Sequence, residues 1–124
     1  MDKRELLGLL KAFPYSPDDY WIVAGGAMVM YGIRPQTHDI DLGCNEQMAD
    51  SLEADGYLVR TNPDGRRYFR YSDDIEISEG WLKDTIGKVD GYNVISIKGL
   101  LEMKRELGRE KDKRDIALIE EFLK

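Results

Sequence analysis

Two short β-type segments, separated by a glycine pair and a short apolar stretch, constrain the fold of this chain most strongly. Tyr20-Trp21-Ile22-Val23-Ala24 is aromatic and β-branched, which favours a strand, and Gly25-Gly26 ends it with residues that lack Cβ. Ala27 to Tyr31 is apolar on all sides and predicts a buried helix that closes at Gly32. In Asp39-Ile40-Asp41-Leu42 the pattern has a period of two, so we expect a strand with both aspartates on one face.

The signals on either side of this unit alternate between helix and strand. Leucines at helical spacing predict a first helix of about ten residues that ends at Pro14. After Asn45, a suitable N-cap, residues Glu46 to Asp55 read as a helix ending at Gly56. Tyr57–Arg60 and Arg67–Tyr71 flank the turn Asn62-Pro63-Asp64-Gly65 and predict a pair of strands.

The second half of the chain completes a small mixed sheet with helices against it. Ile75-Glu76-Ile77 predicts a short strand, Ser78 to Tyr92 is expected to be irregular, and Asn93–Ser96 reads as an edge strand. Two helices follow, one around Leu100–Leu107 before Gly108 and one around Ile116–Leu123. The expected class is α+β, with residues 1–124 as a single domain.

Amino-acid composition limits the compartment, the metal ligands and the partners that we expect for this chain. A run of the roughly 20 apolar residues that span a bilayer does not occur, so we expect a cytoplasmic protein with no membrane partner. The single Cys44 and the single His38 leave no intrachain disulfide and no zinc cluster, so any metal must be held by oxygen. The net charge of −6 disfavours nucleic acid as a partner without excluding a local phosphate site.

The aspartate pair and the glycine pair are the residues that indicate chemistry. Asp39 and Asp41 would project side by side, about 6 to 7 Å apart along a strand, where their carboxylates can hold hard cations such as two Mg²⁺ ions. The alternative is the solvated face of an amphipathic strand. Gly25-Gly26 lets backbone N–H groups approach a phosphate, or serves only as a tight turn. Neither a Walker A loop nor a dinucleotide fingerprint is present.

These motifs together resemble the nucleotidyltransferase superfamily, the polymerase-β-like fold that includes small antibiotic nucleotidyltransferases and toxin–antitoxin-type nucleotidyltransferases. The resemblance rests on Gly25-Gly26, the connection Gly32-Ile33-Arg34-Pro35-Gln36-Thr37 and Asp39-Ile40-Asp41. It implies that the glycine pair bears on a nucleoside triphosphate and that Asp39 and Asp41 bind Mg²⁺. Gly26 stands where the family often has serine, so a hydroxyl contact to the terminal phosphate is missing.

The resemblance also implies a third carboxylate and a cation from later in the chain. Glu76 fits the third carboxylate best, as a metal ligand and as acceptor of a proton, and Asp74 is the reserve candidate. Lys104 resembles the family's late lysine, which is directed into the nucleotide site. Arg34 precedes the aspartates and is either a second phosphate ligand or a surface charge.

The remaining charged and aromatic residues are expected to be structural. Lys111, Lys113 and Arg114 read as a solvated face, and Asp112 as a cap of the last helix with Asp115 in its first turn. Loop residue His38 reads as polar surface or as a contact to substrate or Asp39, and Cys44 as non-catalytic. Aromatic side chains are expected in the core, although a base could stack on one of them; they are Trp21, Tyr31, Tyr68, Phe69 and Trp81.

The resulting hypothesis is a Mg²⁺-dependent nucleotidyltransferase that moves a nucleoside monophosphate from a triphosphate to an acceptor hydroxyl. The acceptor stays open between a small molecule such as an aminoglycoside or lincosamide, a protein side chain and an RNA end. One alternative is a non-catalytic nucleotide- or partner-binding module, such as an antitoxin-like subunit, and a second is a metal-dependent phosphodiesterase or nuclease. Because the chain is short, we expect a second copy or another protein to complete the site.

Overall fold

The computed structural model describes residues 1–82 and 84–124, and a mixed sheet organises this part of the chain. Its strands are β1 (Tyr20–Val23), β2 (Ile40–Cys44), β3 (Val59–Thr61), β4 (Arg67–Arg70), β5 (Ile75–Glu79), β6 (Ile86–Val89) and β7 (Tyr92–Ile95). They lie in the order β3-β4-β5-β2-β1-β7-β6. The pairs β2–β5 and β1–β7 are parallel, and the other neighbours are antiparallel.

Five α-helices accompany the sheet in the described residues, which confirms the α+β class. They are α1 (Lys3–Ala12), α2 (Ala24–Met30), α3 (Glu46–Ala54), α4 (Ile97–Leu107) and α5 (Glu110–Phe122), and a 3-10 turn at Pro17–Asp19 precedes β1. None of the helices in residues 1–82 and 84–124 has both the length and the apolar composition that a bilayer crossing requires.

Local capping explains where several helices begin and end. Asp2 and Glu5 form a reciprocal capping box at the start of α1. The Asn45 side chain accepts a hydrogen bond from the Met48 N–H at 2.9 Å, which confirms it as the N-cap of α3. Gly108 closes α4 with a φ of 58°, a left-handed conformation that favours glycine.

The period of two in β2 and β5 divides the sheet into an apolar face and an acidic face. Ile40 and Leu42 are fully buried and pair in register with the buried Ile75 and Ile77. The residues between them, Asp41 and Glu76, therefore point to the opposite face. The core forms on the apolar side, so Asp41 and Glu76 are not part of it.

Three boundaries differ from the sequence predictions. Helix α2 begins at Ala24, so Gly25 and Gly26 lie inside its first turn instead of before it. The stretch Ser78–Tyr92 is not irregular throughout, because it contains the end of β5 and all of β6, while Lys83 lies outside the described residues. Strand β7 is not an edge strand, since β6 pairs with it on its outer side. Strand β6 was missed because Gly87 and Lys88 break its apolar pattern.

Candidate functional site

A cleft of about 990 Å³ opens beside the acidic face of β2 and β5. Its walls come from the start of α2, the α2–β2 loop, the β3–β4 hairpin, strands β2 and β5, and helices α4 and α5. Most of the site residues named from the sequence line it, namely Gly25, Arg34, Asp39, Asp41, Glu76 and Lys104. The fold thus gathers residues from distant parts of the chain into one cavity of the size that small ligands occupy.

The acidic centre of the cleft is built by strand register. Asp41 of β2 pairs directly with Glu76 of the parallel strand β5, and Asp39 lies just before β2. Burial, and after it the charges of Asp39 and Glu76, raise the pKa of the Asp41 carboxyl from 3.8 to about 6, although Lys104 and Arg70 act in the opposite direction. The three carboxylates therefore repel one another in a place that water only partly reaches.

An arginine engages the third carboxylate. The Nη1 atom of Arg70, on β4, forms an ion pair with Oε1 of Glu76, and its Nη2 donates to the backbone oxygen of Asp73 at 2.9 Å. In the part of the chain that the structure describes, no three His, Cys, Asp or Glu side chains are already gathered as a metal-binding group. Asp41 and Glu76 are neighbours in the sheet, and Glu76 is held toward Arg70.

A buried lysine of α4 also lines the cleft. Lys104 is 5% exposed, and its Nζ lies 3.0 Å from Asp115 Oδ2 and 3.6 Å from Asp112 Oδ1, both on α5. The same Asp115 carboxylate lies 3.4 Å from Nη1 of Arg34, in the α2–β2 loop. Lys104 and Arg34 are thus joined through one aspartate, an arrangement that the sequence analysis missed because it depends on how α4 and α5 pack.

The beginning of α5 corrects three expectations, and one of them concerns Asp115, which is the sixth residue of α5 and not in its first turn. Asp112 is the third residue of this helix and not its N-cap: it accepts from the N–H of Arg109 at 3.1 Å and from that side chain at 2.7 and 3.1 Å. Lys111 and Arg114 are exposed, as expected for a solvated face, but they also line the cleft. Lys113 is exposed and pairs with Glu110 at 3.0 Å. Sequence spacing alone could have placed Lys111 and Arg114 on one face of a helix, but not that face in the cleft.

The two glycines have different surroundings. Gly25 lines the cleft, and a Cβ there would lie 2.5 Å from Oγ1 of Thr37. Gly26 does not line the cleft: it is buried, and a Cβ there would lie 3.1 Å from Cγ2 of Ile22. The structure therefore places Gly25 in the predicted site and gives Gly26 a packing role instead. Ala24, next to them, has a φ of 55°, a strained conformation for a residue with a side chain.

Some of the other candidate residues line the cleft and others do not. His38 lines the cleft and is exposed, whereas the reserve carboxylate Asp74 does not line it and its backbone oxygen accepts from the Ile40 N–H at 2.7 Å. Among the aromatic residues Trp21 and Phe69 are in the core, while Tyr68 and Trp81 line the cleft.

The Trp21 indole and the Cys44 thiol have structural roles. The Trp21 Nε1 atom donates to the Trp81 backbone oxygen at 2.7 Å, which satisfies the indole and links β1 to the cleft wall. Cys44 is fully buried, and burial raises the pKa of its thiol to about 12. A thiol in this state is not a nucleophile, in keeping with the structural role expected for it.

Comparison with protein-family models, with curated proteins and with solved structures gives no match to this chain. Any assignment of function must therefore be argued from the cleft itself.

Proposed function

We propose that this protein is a nucleotidyltransferase with the polymerase-β-like fold, which transfers a nucleoside monophosphate from a triphosphate to an acceptor hydroxyl. The observation that carries the proposal is the register of Asp41 beside Glu76, with Asp39 next to them, in a cleft that also contains Lys104. An acidic centre and a buried cation in one cleft suit a substrate that binds as a metal–triphosphate complex.

The side chains of the acidic centre fit magnesium. Carboxylate oxygens are the ligands that this hard cation prefers, and Asp39, Asp41 and Glu76 supply them. Burial, and after it the charges of Asp39 and Glu76, raise the pKa of Asp41, which supports a bound cation as its counter-charge. Magnesium bound there would neutralise this charge and stabilise the negative charge that develops on the reacting phosphate.

The cations of the cleft have a complementary part in binding the triphosphate. Lys104 provides a point charge from the cleft wall, Arg34 can bind phosphate oxygens in bidentate fashion, and the exposed Lys111 and Arg114 extend the positive charge along α5. In the proposed reaction the acceptor oxygen forms a bond to the α-phosphorus, the bond to pyrophosphate breaks, and Glu76 receives the acceptor proton. Catalysis comes mainly from positioning and charge compensation.

Titration calorimetry with ATP, in the presence and absence of Mg²⁺, tests the binding step. We expect metal-dependent ATP binding in the wild type and its loss in Asp41→Asn and Glu76→Gln. Asp73→Asn is the matched control, because Asp73 is exposed and does not line the cleft. Pyrophosphate release with a panel of hydroxyl acceptors tests the transfer. Release of nucleotide from a phosphodiester without a triphosphate would favour a phosphodiesterase instead.

The ion pair between Arg70 and Glu76 favours a second candidate, a nucleotide- or partner-binding module without catalysis. In such a module the arginine would replace the metal as the counter-charge of the third carboxylate. Arg70→Gln separates the two, since freeing Glu76 should strengthen Mg²⁺ binding in an enzyme. A module would instead bind ATP equally well with and without Mg²⁺ in both proteins.

A further inference from the structure

The carboxylate of Asp115 contacts cations from two different elements. Its Oδ2 lies 3.0 Å from Nζ of Lys104 on α4, and its Oδ1 lies 3.4 Å from Nη1 of Arg34 in the α2–β2 loop. Asp115 is 9% exposed and Lys104 is 5% exposed, so solvent screens their attraction only weakly. One side chain of α5 therefore holds together two of the cations that line the cleft.

The neighbouring aspartate is less available to Lys104. Both carboxylate oxygens of Asp112 accept from the Arg109 guanidinium, at 2.7 and 3.1 Å, and Oδ2 also accepts from the Arg109 backbone N–H. The distance from Asp112 Oδ1 to Lys104 Nζ is 3.6 Å, longer than the 3.0 Å to Asp115. Asp115 is thus nearer to the lysine than Asp112 is, and its carboxylate has fewer other hydrogen-bond partners.

Lys104 lines the same cleft as Asp39, Asp41 and Glu76, so it has acidic groups of the sheet near it as well as those of α5. Its positive charge attracts the Asp41 carboxylate. An ammonium group on a flexible four-carbon stem, placed between two acidic groups, moves toward the one that keeps its charge. If Asp115 became neutral, Lys104 would be drawn to Asp41 and would compete there with any divalent cation.

We propose that Asp115 is a positioning residue, which keeps Lys104 and Arg34 directed at the triphosphate and keeps Lys104 away from Asp41. This inference rests on the proposed nucleotidyl transfer, because it explains how a buried lysine and a metal-binding carboxylate coexist in one cleft. In this proposal Asp115, which also lines the cleft, acts on other side chains and not on the reacting atoms or the metal. Its effect passes through the two cations that it holds.

The test is binding of Mn²⁺, followed by electron paramagnetic resonance, to the full chain with and without ATP. In Asp115→Asn we expect the Kd for Mn²⁺ alone to rise about tenfold, which corresponds to about 1.4 kcal/mol, and ATP binding to weaken as well. In the double variant Asp115→Asn with Lys104→Gln the competing cation is gone. Mn²⁺ affinity should then return to within about twofold of the wild type while ATP binding stays weak.

The double variant separates positioning from a purely structural role. If Asp115 only stabilised the fold, removing Lys104 as well would not restore Mn²⁺ binding, and that result overturns the inference. Asp115→Glu keeps the charge and should retain most of the Mn²⁺ affinity. If Asp115→Asn does not fold, the single variant Lys104→Gln provides the test. It should bind Mn²⁺ at least as tightly as the wild type and ATP more weakly. ATP binding as tight as in the wild type, or tighter, refutes the inference.

The outcomes also distinguish this inference from the proposed function. If the wild type binds no Mn²⁺, or binds it equally well in Asp41→Asn, the proposed function fails and the inference fails with it. If the wild type binds Mn²⁺ through Asp41 and Asp115→Asn binds it unchanged, only the role of Asp115 is refuted.

Discussion

Replacing Asp41 by asparagine should make the protein more stable while abolishing the metal-dependent binding proposed for it. Asparagine has the same shape as aspartate but carries no charge to desolvate or to repel Asp39 and Glu76. The pKa of Asp41 is raised from 3.8 to about 6 by burial and by these neighbours. At 1.36 kcal/mol per pKa unit the ionised carboxylate costs the folded state up to about 3 kcal/mol, a substantial part of the stability of an ordinary domain.

The difference in stability between Asp41→Asn and the wild type should increase with pH. Because the folded-state pKa of Asp41 lies above its ordinary value, the folded protein binds this proton more tightly than the unfolded chain does. The stabilising contribution of the protonated carboxyl is present below about pH 4 and is lost as the pH rises through about 6. Asp41→Asn should therefore match the wild type near pH 4 and exceed it in free energy of unfolding by up to about 3 kcal/mol at pH 7 to 8.

Urea denaturation at a series of pH values measures this difference, with linear extrapolation to water. Asp74→Asn serves as the control, since Asp74 is exposed and lies outside the cleft, and its unfolding free energy should stay close to that of the wild type throughout. Addition of Mg²⁺ should stabilise the wild type and not Asp41→Asn. A variant that is no more stable than the wild type at pH 8 would refute the account of an uncompensated charge at Asp41.

Three further predictions concern the surroundings of the site. Gly25→Ala should lower the free energy of unfolding, measured by urea denaturation, by about 1–3 kcal/mol, because the new Cβ would lie 2.5 Å from Thr37 Oγ1. The control Gly8→Ala should be neutral or stabilising, since a Cβ at Gly8 would have nothing within 4 Å. Equal effects of the two substitutions would contradict the packing argument. Arg67→Met should lower the free energy of unfolding by about 1–2 kcal/mol, and by less at high salt, because this guanidinium pairs with three carboxylates at 2.6 to 2.9 Å. A loss of stability that does not depend on salt would contradict this electrostatic explanation. Cys44 should not react with a thiol reagent at pH 8 until the protein unfolds, because burial raises its pKa to about 12, and rapid labelling of the native protein would show the opposite.

Much of the local structure could be predicted because its signals act over a few residues. The alternation in Asp39–Leu42 predicted which side chains of β2 face the core, and the structure confirms that Ile40 and Leu42 are buried. Asn45 and the turn Asn62–Gly65 likewise predicted a helix start and a hairpin, which the structure confirms. Strand β6 escaped prediction because an interrupted apolar pattern of four residues has no distinctive period.

The sequence by itself determined the α+β class and the types of side chain available for chemistry: carboxylates, two glycines and several cations. Only the tertiary structure decided which of them meet. The parallel pairing of β2 with β5 sets Asp41 beside Glu76, the packing of α5 on α4 buries Lys104 against Asp115, and Gly26 turns away into the core. These contacts join residues far apart in the chain, where burial and strand order, rather than any local pattern of residues, determine which charges are close enough to interact.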